Sequence, residues 1–301
     1  MSKILILGAS GFVGKHLCSH LENHEITYLV RKTSDISHLK NGKIIYGDIT
    51  NQSDLLKASK GVDIIINLTA PNTQQAEINQ AIIVDGTRNL IAAAKNNKVK
   101  KIINLGSAAA YRKNLDNYGR AKKETEELIV KSGLDIIHLK PSMVYGRGGY
   151  AFEKLLASIT QIPFFVFVIG DGQYKIQPVY IEEVVQAILK SIEFPVEGVK
   201  VLDLGGPYPK KYDEFIEKIL KIINKKKIII HLSMKFVITL VNFLNLFFKN
   251  LNFNKTTVKR LTEEITLDID TTKKTLGITM TDYETALHEV LKNNFISSYL
   301  P

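Results

Sequence analysis

Tyr118 and Lys122 stand four residues apart in the run Tyr118-Gly119-Arg120-Ala121-Lys122. On a helix that spacing sets a phenol and an ammonium on one face. A free tyrosine, with a pKa of ~10, is a poor base at neutral pH. A neighbouring ammonium stabilises the phenolate and lowers that pKa, so proton exchange with a substrate hydroxyl or carbonyl becomes feasible. Ser107 follows an apolar run at 102–105 and can hold the same substrate oxygen. Tyr-x-x-x-Lys also arises by chance as a surface pair, so its weight depends on what surrounds it.

What precedes it is a glycine-rich turn. Gly8-Ala9-Ser10-Gly11-Phe12-Val13-Gly14-Lys15 comes directly after the apolar run 3–7 and opens a helical pattern. Glycines let the backbone turn sharply and approach a pyrophosphate, whose charge the helix N-terminus stabilises. The spacing is Gly-x-x-Gly-x-x-Gly, not Gly-x-Gly-x-x-Gly, and it is no Walker A loop, which argues against ATP hydrolysis. The cofactor is then read at the end of the second strand. A carboxylate there would bond a ribose 2′-hydroxyl, and an arginine would meet a 2′-phosphate. The residues are Val30-Arg31-Lys32, with no acid until Asp35. Arg31 therefore predicts NADP in preference to NAD; the alternative is that it stacks on adenine or faces water.

These groups need a scaffold, and the apolar pattern supplies one. Short β-branched runs at 3–7, 26–30, 44–46, 64–68, 102–105 and 136–139 alternate with helical segments at 12–21, 78–96 and 118–130. Continuous apolar strands separated by helices predict a doubly wound α/β fold with a parallel sheet. Beyond 150 the rhythm changes. A helix at 151–160, a strand at 164–168, and a helix and strand at 181–191 and 201–204 precede a mostly helical stretch opened by a capping-box pattern, Thr281-x-x-Glu284. The predicted domains are a dinucleotide-binding domain, 1–147, with 177–205 returning to it. A smaller mixed C-terminal substrate lobe comprises 148–176 and 206–301.

The 301 residues are 45% hydrophobic and 23% charged, which describes a globular chain with a sizeable core. Cys18 is the only cysteine, which excludes a disulfide framework and predicts a reducing, cytoplasmic setting. Forty basic against thirty acidic residues give a net charge of +10. The lysines are scattered and there is no tryptophan, so no nucleic acid is expected; the charge suits solvated surface and phosphate-bearing ligands. His16, His20 and His24 recur every four positions, but no carboxylate pattern completes a metal site, and an exposed helix face is expected. The 236–248 segment, interrupted by Thr239, Asn242 and Asn245, is too short and polar for a transmembrane span. A buried or partner-facing helix and peripheral membrane contact are its two readings.

Taken together, the residues at 8–14, Gly47-Asp48-Ile49, Asn67-Leu68-Thr69-Ala70, Asp85-Gly86-Thr87, Ser107, Tyr118 with Lys122, and Lys140-Pro141-Ser142-Met143-Val144-Tyr145-Gly146 resemble the extended short-chain dehydrogenase/reductase superfamily. Within it the chain resembles the NAD-dependent epimerase/dehydratase family. Gln177-Pro178-Val179-Tyr180-Ile181-Glu182-Glu183-Val184 and Leu204-Gly205-Gly206-Pro207 are similar to its atypical branch, which includes the nucleotide-binding accessory subunit of respiratory complex I. The resemblance implies an NAD(P)-binding Rossmann fold. Gly8, Ser10, Gly11, Phe12 and Val13 would cradle the pyrophosphate, Arg31 would meet the adenosine ribose, and Asp48 and Ile49 would flank adenine. Leu68, Thr69 and Ala70 would line the cofactor cleft. Tyr118 would be the acid/base, Lys122 would bind the nicotinamide ribose, and Pro141 and Met143 would pack near the nicotinamide ring.

Three departures stand out: the short interval between Ser107 and Tyr118, Ile83 where asparagine is common, and Lys140 in place of arginine. Two functions follow. One is an oxidoreductase or epimerase acting at a hydroxyl or carbonyl carbon of a nucleotide-linked sugar or related small molecule. The other is a non-catalytic NADPH-binding accessory or assembly subunit of a larger, membrane-associated complex. Either a monomer or a homodimer is compatible with the sequence.

Overall fold

In a computed structural model, which describes residues 1–71, 73–247 and 255–292, the apolar runs become strands. In the first half, β1 (Lys3–Leu7), α1 (Phe12–Leu17), β2 (Glu25–Val30), β3 (Gly42–Tyr46), α2 (Gln52–Ala58), β4 (Ile64–Asn67), α3 (Ala76–Asn79), α4 (Gly86–Asn96), β5 (Lys101–Leu105), α5 (Asn117–Val130) and β6 (Ile136–Pro141) follow one another. The second half adds β7 (Val144–Tyr145), α6 (Tyr150–Thr160), β8 (Phe165–Ile169), β9 (Lys175–Ile176), β10 (Val179–Tyr180), α7 (Ile181–Glu193) and β11 (Val199–Leu204). It closes with β12 (Lys210–Lys211), α8 (Tyr212–Ile222), β13 (Ile228–Leu232), α9 (Met234–Phe247), α10 (Lys255–Leu261), α11 (Asp270–Leu276) and α12 (Tyr283–Leu291).

Seven strands form one sheet in the order β11-β6-β5-β4-β1-β2-β3, and every pairing in it is parallel. This is the doubly wound Rossmann arrangement expected from the alternation, and β11 returns to the sheet beside β6. Winding reverses between β1 and β4, which opens a crevice at their carboxyl ends. Alternation along β1 builds both core layers. Ile4 and Ile6 face Leu17, Val184 and Ile188, whereas Leu5 and Leu7 face Leu55, Leu90 and Ala93. The later segments bury a separate aromatic core around Tyr145, Phe152, Phe215 and Tyr283.

Three local expectations are corrected. The helical run expected at 78–96 is α3 and α4 joined by a π-type segment, Gln80–Asp85. The Ile83 carbonyl within it accepts the Thr87 hydroxyl at 2.6 Å and the Thr125 hydroxyl of α5 at 3.2 Å, so side chains replace part of the backbone ladder. The last helix is capped not by Thr281 but by Asp282, which accepts the Glu284 amide at 2.8 Å; the Thr281 amide instead donates to Glu183. His16 does not simply face water either. Its Nδ1 lies 3.0 Å from Glu182 Oε1 and its Nε2 3.1 Å from the Arg147 carbonyl, which pins α1 to the second half. Among the described residues no cluster of ligating side chains could hold a metal ion.

Part of the basic excess has a structural use. Lys101 Nζ donates to the Ser191, Ile192 and Phe194 carbonyls at 2.7–2.9 Å, closing the end of α7. Lys227 Nζ does the same for α6 through the Ile159, Thr160 and Ile162 carbonyls. Cations there satisfy orphan carbonyls and oppose the negative helix end. No described helix is long and apolar enough to cross a membrane. The 236–248 segment falls mostly in α9; Phe248 lies outside the described residues.

Candidate functional site

Gly8 is the first residue beyond β1 and adopts φ +81°, a region that strains any L side chain. A Cβ there would also lie 2.9 Å from the Leu68 carbonyl carbon, so the turn and the end of β4 approach backbone to backbone. At Gly14 an added Cβ would meet the Ala9 oxygen at 2.4 Å, so α1 packs directly on the turn. The N-cap of α1 is Gly11, which offers no side chain to the first amides, and the first turn carries no acid. A glycine-only cradle ahead of an uncapped helix fits a pyrophosphate. Ser10, Phe12 and Val13 complete that turn, half-buried, with the Phe12 ring 5.4 Å from His16 in an edge contact.

Arg31 lies exposed just past β2 and has no ion pair among the described residues. The first acid after it, Asp35, is engaged elsewhere: Lys15 Nζ is 3.1 Å away and Ser37 donates both its hydroxyl and its amide. These bonds hold the Asp35 carboxyl well below the usual carboxylate range. His38, which the sequence reading passed over, ties the loop after β2 to the glycine turn through Nε2, 3.1 Å from the Ala9 carbonyl. Asp48 is half-buried and caps its own turn by accepting the Thr50 amide and hydroxyl at 2.9 Å. Ile49 is packed into the core against Gly86, so its side chain is already spent on packing. Leu68 and Thr69 are half-buried and Ala70 is exposed at the end of β4. Pro141 is buried, and Met143 leans on the aromatic core of the second half.

Beyond β5, Ser107 accepts the Ala109 amide at 3.1 Å and begins a 3-10 turn, Ala108–Tyr111, which leads to α5. Tyr118 stands in the first turn of α5, and Lys122 one turn on, with Nζ 5.6 Å from the Tyr118 ring centroid. Lys122 is 4% exposed and donates to the Leu105 carbonyl at 3.2 Å. The sequence brings the three together as expected, but the expected direction of the tyrosine shift is not met. Burial pushes the Tyr118 phenol up to about 12, with the nearby Ser107 hydroxyl pulling the other way and the Asp116 carboxylate adding to the rise. The Lys122 ammonium is itself pushed down to about 8 by burial. Desolvation dominates at the phenol, and Tyr118 is a neutral acid.

Two further features were not legible in advance. Asn67, Asn104 and His138 are in register across β4, β5 and β6. They form a buried chain in which Asn67 donates to Asn104 Oδ1 at 2.8 Å and Asn104 Nδ2 lies 2.9 Å from His138 Nδ1. Asn67 Oδ1 also accepts the Thr69 hydroxyl at 2.6 Å, which fixes the segment just past β4. Burial and the nearby Lys122 and Lys140 push His138 down to about 3, so it is neutral there. Lys140, the replacement for arginine, is fully buried, ion-paired with Glu126 and 3.4 Å from the Tyr111 ring centroid.

The second feature is a strap over the Ser107–Tyr118 interval. Arg112 donates to the Arg260 carbonyl, the Lys113 amide to Glu263, and the Asn114 amide to the same carboxylate at 3.2 Å. Arg260 Nε also stands 3.0 Å from Asp116 Oδ2.

The family model for the "NAD dependent epimerase/dehydratase family" matches residues 4–205. Among curated proteins the chain is 24% identical to the 3beta-hydroxysteroid-dehydrogenase/decarboxylase isoform 2 of Arabidopsis thaliana, over 86% of this chain and 54% of that protein. It thus spans about half the length of that relative. It is 23% identical to NADH dehydrogenase [ubiquinone] 1 alpha subcomplex subunit 9, mitochondrial, of Dictyostelium discoideum, over 94% of this chain and 82% of that one. Among solved structures, UDP-glucuronic acid 4-epimerase from Bacillus cereus in complex with NAD superposes with a TM-score of 0.76 at 20% identity, covering 99% of this chain and 100% of that one. The glycine cradle, the strand order and the family match lead to one conclusion: the chain belongs to the NAD-dependent epimerase/dehydratase family.

Proposed function

We propose that the chain is an NAD(P)-dependent oxidoreductase or epimerase acting at a hydroxyl or carbonyl carbon, with Tyr118 as the acid/base. The observation that carries this reading is Ser107, Tyr118 and Lys122 gathered at the carboxyl end of β5, on the same sheet edge as the Gly8 turn. The nicotinamide, when bound, supplies or accepts the hydride. Gly8, Ser10, Gly11, Phe12 and Val13 hold the pyrophosphate, with Asp48, Ile49, Leu68, Thr69, Ala70, Pro141 and Met143 around the rest of the cofactor. Arg31 meets a 2′-phosphate, because Asp35 is tied to Lys15 and Ser37; NADP is therefore preferred to NAD. The Ser107 hydroxyl orients the substrate oxygen, and the neutral Tyr118 phenol donates its proton to it. Lys122 holds the nicotinamide ribose and steadies the phenolate left behind.

The substrate is a nucleotide-linked sugar or related small molecule, taken up between the dinucleotide-binding domain, 1–147 with 177–205, and a lobe formed by 148–176 and 206–301. The setting is cytoplasmic. Replacing Tyr118 by Phe abolishes turnover and leaves NADPH affinity within about twofold, because the ring stays and only the proton is lost. A collapse of NADPH binding in that variant, with the fold intact, refutes the assignment. The second reading, a non-catalytic NADPH-holding subunit of a larger complex, is favoured by one observation: Arg260 and Glu263 tie down the short interval between Ser107 and Tyr118 through Arg112, Lys113 and Asp116. Wild-type protein that binds NADPH but turns over no carbonyl or sugar-nucleotide substrate supports that reading.

A further inference from the structure

We propose that the outer face of the β8–β13 ribbon, continued by α9, is a docking surface for an anionic lipid bilayer. Along β8, Val166 and Val168 turn into the aromatic core, while Phe165 and Phe167 point the opposite way. β13 pairs with β8 in parallel, Phe165 opposite Ile228 and Phe167 opposite Ile230, so these four side chains share one face. That face meets water. Phe167 is 45% exposed, Ile228 63%, and the adjoining Phe164 71%. A two-stranded ribbon needs only one apolar side to hold it on a core, and polar residues ordinarily fill the other. Here the second side is apolar as well, which marks an interaction surface.

The same face runs on to α9. Ile169 and Leu232, at the far end of the ribbon, pack with Val237 and Val241 of α9. Phe236 and Leu240, one turn apart on that helix, remain 55% and 42% exposed. Asp213 is engaged by His231 at 2.8 Å, and the exposed charges beside the apolar face that lack a partner among the described residues are lysines. Between 225 and 247 the charged residues are Lys225, Lys226, Lys227 and Lys235, with no Asp or Glu. Lys227 closes α6, but Lys225, Lys226 and Lys235 are exposed and without an ion pair among the described residues. No charged residue of either sign lies between Lys154 and Asp171.

Exposed phenylalanines bordered by free lysines suit a surface that is apolar a few ångströms down and anionic at its rim, which describes the headgroup boundary of a bilayer. A second copy of this chain would set lysine against lysine across a twofold axis. The contact is peripheral, since no described helix can span. It also widens the membrane contact read from 236–248 alone, because the ribbon adds Phe164, Phe165 and Phe167.

The test uses the full chain, sedimented with phosphatidylcholine vesicles that contain one-third phosphatidylglycerol, and with pure phosphatidylcholine vesicles. The expected result is binding to the anionic vesicles about tenfold or more above the neutral ones, falling as salt is raised. Phe164→Ser with Phe167→Ser lowers the binding about tenfold at low and high salt alike. Lys225→Glu with Lys226→Glu lowers it mainly at low salt. Unchanged melting temperature and NADPH affinity in both variants exclude misfolding as the cause; a misfolded phenylalanine pair is replaced by Phe164→Ser alone, on the more exposed ring. Failure of the wild type to bind anionic vesicles overturns the proposal. So does equal binding to both vesicle kinds, or a wild-type dimer in solution that the phenylalanine variant dissociates.

Discussion

A lysine ammonium buried to 4% exposure with one neutral acceptor, the Leu105 carbonyl, is an expensive group to keep. Its folded pKa of about 8 lies below the ordinary 10.5. Below about pH 8 it is charged in both states, and the folded state bears the desolvation. Between about 8 and 10.5 the folded side chain is neutral while the unfolded one still binds a proton, so stability rises with pH across that window. Lys122→Met is therefore expected to be more stable than the wild type at pH 7 by about 2 kcal/mol, with the advantage shrinking toward pH 10. Its turnover should nevertheless be lost. Urea unfolding at the two pH values checks this, and a variant less stable at pH 7 would mean that the ammonium is satisfied where it sits. The Tyr118–Lys122 spacing was readable as a pair on one helix face. The direction of the phenol's shift was not, because desolvation depends on how deeply α5 is packed, and no local spacing encodes that.

At the scale of elements, α5 is held at its first turn from two directions. Asp116 is its N-cap, accepting the Gly119 amide at 2.7 Å, and its other oxygen faces Arg260 Nε from α10. Asp116 is 7% exposed, so removing Arg260 takes the ion-pair partner from a buried carboxylate, with the Arg112 guanidinium its remaining nearby cation. Arg260→Ala is expected to cost about 2–3 kcal/mol of stability and to loosen the turn that carries Tyr118. The check is urea unfolding together with kcat/KM: a loss in kcat/KM beyond what the unfolded fraction explains means that the strap positions the tyrosine. If stability falls and kcat/KM of the folded fraction is unchanged, the strap is structural only. The strands themselves were legible, since runs such as Ile64-Ile65-Ile66 admit little else. The Arg260 strap was not, because it joins residues nearly 150 positions apart. The Asn67–Asn104–His138 chain escaped for a related reason: each residue ends or interrupts an apolar run, and only the register of three strands sets them side by side.

For the whole molecule, cofactor choice is a question of how much each dinucleotide stabilises the folded chain. A ligand that binds only the native state adds about 2.7 kcal/mol at a concentration of 100 Kd. For a chain of this size that corresponds to a rise in Tm of roughly 4 °C. NADPH is expected to produce this rise at concentrations where NADH, identical but for the 2′-phosphate, produces little. The difference should trace to a single side chain. Arg31 is exposed and is free of other ion pairs among the described residues, so Arg31→Ala leaves the unliganded Tm in place while bringing the NADPH shift down to that of NADH. The net charge of +10 attracts NADPH, with its extra phosphate, more than NADH, and that non-specific bias screens away with salt, so the comparison belongs at about 0.15 M ionic strength. Equal shifts for both cofactors in the wild type would reduce Arg31 to a surface cation. A larger shift with NADH would move recognition of the adenosine ribose to Asp48, the half-buried carboxylate past β3, whose side chain accepts the Thr50 amide and hydroxyl.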